Sequence, residues 1–284
     1  MRVVVLGASG MLGHAVLRLL SEDKNIDLLG TVRSANSIST LPSTIQQKCL
    51  VLENIENDEA LEQFFSRNKP SVIINCVGLV KQLDLANEPV SALTINSLLP
   101  NRLAIICKKF GARLIHISTD CVFSGSKGNY LEEDFPDAND LYGRSKLLGE
   151  VVSSNSITLR TSIIGHELHS SHGLVGWFLK QRGEIKGYSR AIFSGLPTCE
   201  LARIIGDYVL IKPELSGLYH LSSSPISKYE LLKLIKKAYK RDIKIKADEK
   251  LVIDRSLNSS KFQQDFSYRP RPWLELISNM HEFK

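Results

Sequence analysis

The first thirteen residues constrain this chain more than any other segment. Val3-Val4-Val5-Leu6 is a short aliphatic run that reads as a buried strand. It leads directly into Gly7-Ala8-Ser9-Gly10-Met11-Leu12-Gly13, whose glycines fall at i, i+3 and i+6. Met11, Leu12, Val16, Leu17 and Leu20 then recur at helical spacing. Glycines so placed permit a tight turn, a close approach of backbone to a pyrophosphate, and close packing of helix on sheet. The start of the helix offers the same anion free N–H groups and a partial positive charge. No Gly-Lys-Ser/Thr follows, which sets aside a mononucleotide loop. A bound dinucleotide is therefore expected, touching Gly7, Ser9, Gly10, Met11, Leu12 and Gly13.

Beyond this loop, apolar runs alternate with helical stretches. Strands are expected at 26–32, 50–52, 71–75, 112–117 and 156–160, with a long helix at 89–110 and another at 141–152. Asn57 or Asp58 can cap a helix carrying Leu61, Phe64 and Phe65. Such alternation requires a mostly parallel sheet covered on both faces. After Gly165 the pattern weakens, with short strands near 185–188 and 218–221 among helices at 198–210 and 227–239. The expected class is α/β: a Rossmann-type, doubly wound parallel sheet over 1–165, with a smaller C-terminal α/β lobe over 166–284. That lobe is expected mainly to bind substrate, and later segments are free to return to the first domain.

The second expected strand ends in Gly30-Thr31-Val32-Arg33. An acidic residue there would serve the ribose hydroxyls of NAD, whereas Arg33 beside Ser34 suits a 2′-phosphate. NADP(H) is thus the preferred cofactor, with NAD(H) as the alternative. Asn75-Cys76-Val77-Gly78 closes the fourth strand with small residues that leave room for the cofactor, so Cys76, Val77 and Gly78 join its contacts. Lys81 and Gln82 in the next loop can reach a substrate.

The main chemical signal is Tyr142-Gly143-Arg144-Ser145-Lys146 at the start of a helix, with Ser118-Thr119-Asp120 just past the fifth strand. Spacing of i and i+4 puts Tyr142 and Lys146 on one helical face. A phenol with an ordinary pKa near 10 is a poor acid–base group at neutral pH, and an ammonium beside it would lower that pKa. Tyr142, Lys146 and Thr119 are therefore the candidate catalytic group: Tyr142 to protonate a carbonyl oxygen, Thr119 to hold it, and Lys146 to serve both the phenol and the nicotinamide ribose. Asp120 can position the loop, and Arg190 and Arg255 are candidates for a diphosphate.

Other features carry less. His166, His169 and His172 lack the i,i+4 spacing of a His-Glu-x-x-His zinc site, and Gly165 and Gly173 flank them, so no metal is expected. The five cysteines include no Cys-x-x-Cys and read as reduced thiols. Much of the net charge of +6 lies in 228–250, expected as a docked helix with a solvated basic face rather than a nucleic-acid surface. No apolar run suggests a membrane span or secretory leader, which makes the cytoplasm the expected compartment.

Together these segments resemble the extended short-chain dehydrogenase/reductases, and within them the dTDP-4-dehydrorhamnose reductase type. The resemblance rests on 7–13, Ile73-Ile74-Asn75-Cys76, the run from His116 to Gly125, 141–150 and Leu159-Arg160-Thr161-Ser162, and more loosely on 254–259. It implies NAD(P)H-dependent reduction of a 4-keto nucleotide sugar in polysaccharide or O-antigen biosynthesis, with residues matching Tyr142, Lys146 and Thr119 as the catalytic group. It also implies that Asn54, with Ile55 beside it, meets the adenine where the family usually has an Asp, and it allows a homodimer. Cys121 replaces the family's usual aromatic. Leu79-Val80-Lys81-Gln82-Leu83 departs from the family's sugar-facing loop, which allows a hexose other than rhamnose. Two rivals remain: an epimerase or dehydratase, and a regulatory subunit that keeps a nucleotide pocket but catalyses nothing.

Overall fold

Strands buried on both faces need no polar alternation, and Val3, Val4, Val5 and Leu6 are all fully buried. The computed structural model describes residues 1–81 and 84–284. Its central sheet has seven parallel strands: β1 (Arg2–Leu6), β2 (Asp27–Val32), β3 (Cys49–Val51), β4 (Val72–Asn75), β5 (Arg113–Thr119), β6 (Ser156–Thr161) and β7 (Gly217–His220). The order is β7-β6-β5-β4-β1-β2-β3. The first six lie where the sequence pattern puts strands. β7, expected among the lobe's strands, instead pairs in parallel with β6, so the chain does return to the main sheet.

Helices cover both faces. On one, α2 (Asp58–Asn68) and α3 (Leu99–Phe110) pack Leu61, Phe65, Leu103 and Ile106 on Val4, Leu6, Ile73 and Leu114. Asn57 caps α2, its side chain accepting from the Ala60 amide at 2.9 Å. On the other face, α1 (Gly13–Leu20) brings Ala15, Val16 and Leu17 against Val3, Val5 and Ile74. Two later helices, α5 (Thr198–Ile204) and α7 (Trp273–Glu282), join that same core. Between α3 and α5 lies α4 (Leu141–Leu148), shorter than expected because the helix ends at Gly149.

The helix at Pro89–Phe110 is interrupted by a π turn at Thr94–Leu98. Contrary to expectation, it is long and apolar enough to cross a membrane by length and composition alone. Its π turn carries buried Asn96 and Ser97, and Leu99, Leu103, Ile106 and Cys107 face the sheet. The lobe carries two small sheets of its own, and Leu196–Pro197 pairs in parallel with Ile163–Ile164. Glu184–Tyr188 pairs with Lys244–Asp248, and Ala191–Phe193 lies between Ile226–Ser227 and Ile253–Asp254. Helix α6 (Lys228–Ala238) packs against them. In the main sheet the strand order reverses beside β1, which opens a crevice at the carboxyl ends of β1 and β4.

Candidate active site

The glycine loop leaves β1 through Gly7, whose φ of +79° favours glycine. A Cβ on Gly13 would stand 2.0 Å from the Gly7 carbonyl oxygen, so only glycine lets α1 start this close to the turn. Gly10 donates to the Gly7 carbonyl at 3.0 Å, while the Ser9, Met11 and Leu12 amides make no hydrogen bond within the described residues. Free amides at the start of a helix, in a cradle that a side chain would fill, fit a dinucleotide pyrophosphate. Arg33 is exposed at the end of β2, and Asn54 is exposed just past β3.

Across the crevice, buried Asn75 shapes the exit of β4. Its Oδ1 accepts from the Val77 amide at 3.1 Å and its Nδ2 faces His116 Nδ1 at 3.2 Å. Gly78 follows, and a Cβ there would lie 3.9 Å from Lys146 Nζ. Cys76, Gly78 and Lys146 therefore line one side of the crevice. Lys81 is exposed and ion-paired at 2.7 Å to Asp140, the residue that caps α4. Gln82 falls outside the described residues.

Asp140 Oδ1 accepts from the Gly143 amide at 2.7 Å, which fixes the start of α4 and with it Tyr142. The helix sits close because Gly143 has no side chain; a Cβ would meet the Cys121 carbonyl oxygen at 2.3 Å. Tyr142 lies against the Thr119 hydroxyl, and Thr119 also accepts from the Cys121 amide at 3.1 Å and donates to Asp120 Oδ1 at 3.2 Å. Burial pushes the Tyr142 phenol above its ordinary value, and Cys121 and Asp120 act in the same direction. The expectation that Lys146 would lower that pKa is not met here. Its Nζ reaches down to the Ile117 carbonyl at 2.8 Å, its electrostatic partners are Glu150 and Cys76, and burial depresses it to about 8. Spacing of i and i+4 aligns the two Cβ atoms, but the long lysine stem turns toward the end of β5. A raised phenol pKa keeps Tyr142 protonated, which is the form an acid must have.

Asp120 is buried and its carboxyl is raised by burial, opposed by Arg255 and Lys228. Arg255 comes from the lobe to this site, its Nε donating to the Phe123 carbonyl at 2.8 Å. Arg190 is exposed at the turn between two lobe strands. Burial pushes the Cys121 thiol up to about 12. His166 bonds the Tyr239 hydroxyl at 2.8 Å and His169 bonds Thr40 at 2.9 Å, so these histidines tie their loop to its neighbours.

Two supports escape sequence reading. Asn96, in the π turn, accepts from the Leu79 amide at 2.9 Å and donates to the Leu79 carbonyl at 3.1 Å and to Ser145 Oγ at 3.2 Å. It joins the loop after β4 to α4, and the only signal for it is an amide within an apolar helical stretch. Below the site, Glu150 takes a bidentate grip on Arg160, at 2.6 and 2.7 Å, with the two side chains 6% and 3% exposed. Ser118 donates to the same carboxylate at 2.7 Å, and Arg160 also faces His220 Nε2 at 3.2 Å. Burial beside Arg160 holds His220 neutral, with its pKa lowered to about 3.

A glycine-loop crevice and a Tyr, Lys and Thr group at the carboxyl edge of a doubly wound parallel sheet define an extended short-chain dehydrogenase/reductase fold. The model of the RmlD substrate binding domain matches residues 1–282, and the chain belongs to that family. It is similar to the dTDP-4-dehydrorhamnose reductase of Aggregatibacter actinomycetemcomitans, at 26% identity over 99% of each chain. It is similar also to the methionine adenosyltransferase 2 subunit beta of Mus musculus, at 26% identity over 84% of this chain and 72% of that one. The crystal structure of dTDP-4-dehydrorhamnose reductase from Bacillus anthracis in complex with NADP superposes with a TM-score of 0.83. Their identity is 23%, over 100% of this chain and 98% of that one.

Proposed function

We propose that this chain is an NADPH-dependent reductase of a 4-keto-6-deoxy nucleotide sugar, the activity carried by the names of its reductase relatives. The observation that carries this reading is the convergence of Tyr142, Thr119 and Lys146 on a crevice that also receives the glycine loop. NADPH, when bound, supplies hydride to the carbonyl carbon. Tyr142 gives its hydroxyl proton to the carbonyl oxygen, and the Thr119 hydroxyl orients that oxygen. The Lys146 ammonium holds the nicotinamide ribose past Gly78. Arg33 takes the 2′-phosphate, and Asn54 and Ile55 border the adenine. Arg255 and Arg190 serve the sugar diphosphate, Lys81 and Gln82 reach the substrate and Asp120 positions its loop, in a division of labour that gives 1–165 mainly to cofactor and 166–284 mainly to substrate. Five free thiols suit a reducing cytoplasm.

The test is single-turnover NADPH oxidation with dTDP-4-dehydrorhamnose and a panel of 4-keto nucleotide sugars. Tyr142→Phe keeps the ring but removes the proton donor, so turnover should fall by about 10²–10⁴, the worth of positioned acid catalysis. NADPH binding should hold in the same variant. Wild-type turnover in Tyr142→Phe would place the acid elsewhere. A second reading, a non-catalytic nucleotide-binding subunit, draws support from the methionine adenosyltransferase beta relatives. Cofactor and sugar binding without turnover across the panel would favour it.

A further inference from the structure

Most of the excess positive charge is gathered in one place. Residues 228–250 hold nine Lys and Arg against four Asp and Glu, in a chain of net charge +6. On α6, Lys233, Lys236 and Lys237 follow Tyr229 at helical spacing, a stripe about 12 Å long at 1.5 Å per residue, and Lys240 lies just past the helix end. The chain then turns at Lys240, where φ is +49°, and brings Arg241 and Lys244 to face that stripe. Together they line a groove of about 550 Å³, with Tyr229 and Ile245 as its apolar part.

The cations of this groove are paired only in part. Lys233 is paired with Glu230 at 3.0 Å and Lys244 with Glu184 at 3.3 Å. Lys236, Lys237 and Lys240 have no carboxylate within ion-pair reach among the described residues. Arg241 spends Nη2 on the Gln181 carbonyl at 3.2 Å, while its Nε is buried without a partner. Like charges at i,i+4, as in Lys233 with Lys237, destabilise a helix. The helix C-terminus favours cations but acts only over its last turn, so it offsets part of this cluster.

We propose that this groove binds a soluble anion carrying a chain of phosphates, at a site separate from the catalytic crevice. Several ammonium point charges beside a guanidinium make a donor set that phosphoryl oxygens match. The length of the stripe suits successive phosphates rather than one isolated ion. The concave wall between α6 and Lys244–Asp248 suits a slender ligand better than a planar bilayer, and the Tyr229 ring offers one apolar contact at its end. The groove shares no lining residue with the crevice; on α6 it is Lys228, ahead of the stripe, that acts on Asp120.

The experiment is calorimetric titration of the full chain with inorganic tripolyphosphate at low salt, repeated with Lys236→Gln/Lys240→Gln. The wild type should bind saturably and more weakly as salt rises. The double variant should lose at least about tenfold in affinity, since each charged contact is worth roughly that or more. Thermal scans should show tripolyphosphate raising the Tm of the wild type and not of the variant, and NADPH affinity should be the same in both. The proposal is overturned by no saturable heat, by equal binding in the variant, or by displacement of tripolyphosphate by NADPH. It is overturned equally if only single-stranded RNA or phosphatidylglycerol vesicles bind.

Discussion

Glu150→Gln removes one charge from the buried pair beneath the active site while keeping the side chain's size and an acceptor for Ser118. Arg160 is then left 3% exposed with no counter-charge, since burial keeps His220 neutral. Breaking a buried pair by removing one partner costs about 3–5 kcal/mol. At an unfolding entropy of about 2.1 cal/mol/K per residue, 284 residues give roughly 0.6 kcal/mol/K, so Tm should fall by about 5–8 °C. Differential scanning calorimetry measures this directly. Glu150 also raises the pKa of Lys146, so the variant should move the alkaline limb of NADPH binding to lower pH. Glu150→Gln/Arg160→Met, which leaves no orphaned charge, should recover much of the lost Tm. A drop below about 2 °C in the single variant, or no recovery in the double, would refute the assignment of the pair as a closed buried unit.

Gly13→Ala should weaken NADPH binding at least about tenfold with little loss of fold, because the added carbon meets backbone at 2.0 Å and must push α1 off the loop; fluorescence titration reads it. Arg33→Ala should erase most of a preference for NADPH over NADH of about ten- to a hundredfold, and equal constants for both cofactors in the wild type would discard the 2′-phosphate role. Stability should depend on pH through His220, whose pKa burial lowers to about 3 from its ordinary value of 6.5. Its contribution is whole above pH 6.5 and is lost as pH falls toward 3, at about 1.4 kcal/mol per unit. His220→Gln should flatten the fall in Tm measured between pH 6.5 and 4.

Local pattern carried the cofactor half of this fold well. A strand that ends on glycine and a helix that starts on glycine leave one topology, and six of seven sheet strands follow from apolar runs of ordinary length. What the pattern could not carry were the long-range choices. Leu218 and Tyr219 look the same whether their strand joins a lobe or the main sheet, and only pairing with β6 decides it. The i,i+4 spacing of Tyr142 and Lys146 was legible, but the direction of the lysine stem depends on the Ile117 carbonyl, which comes from a strand 29 residues away. Asn96 was hidden for the same reason. A π turn has no clear signature in composition, and its partners at Leu79 and Ser145 lie 17 and 49 residues away.

Because β7 joins the main sheet only after the segment 162–216 has been laid down, the lobe's first half is a loop between two neighbouring strands. During synthesis, a chain that has emerged only as far as Gly165 presents β6 as an open edge. Its Arg160 also lacks the His220 contact. Unpaired parallel edges are templates for wrong partners, so the nascent protein passes through a sticky interval of some fifty residues before its own strand seals the sheet.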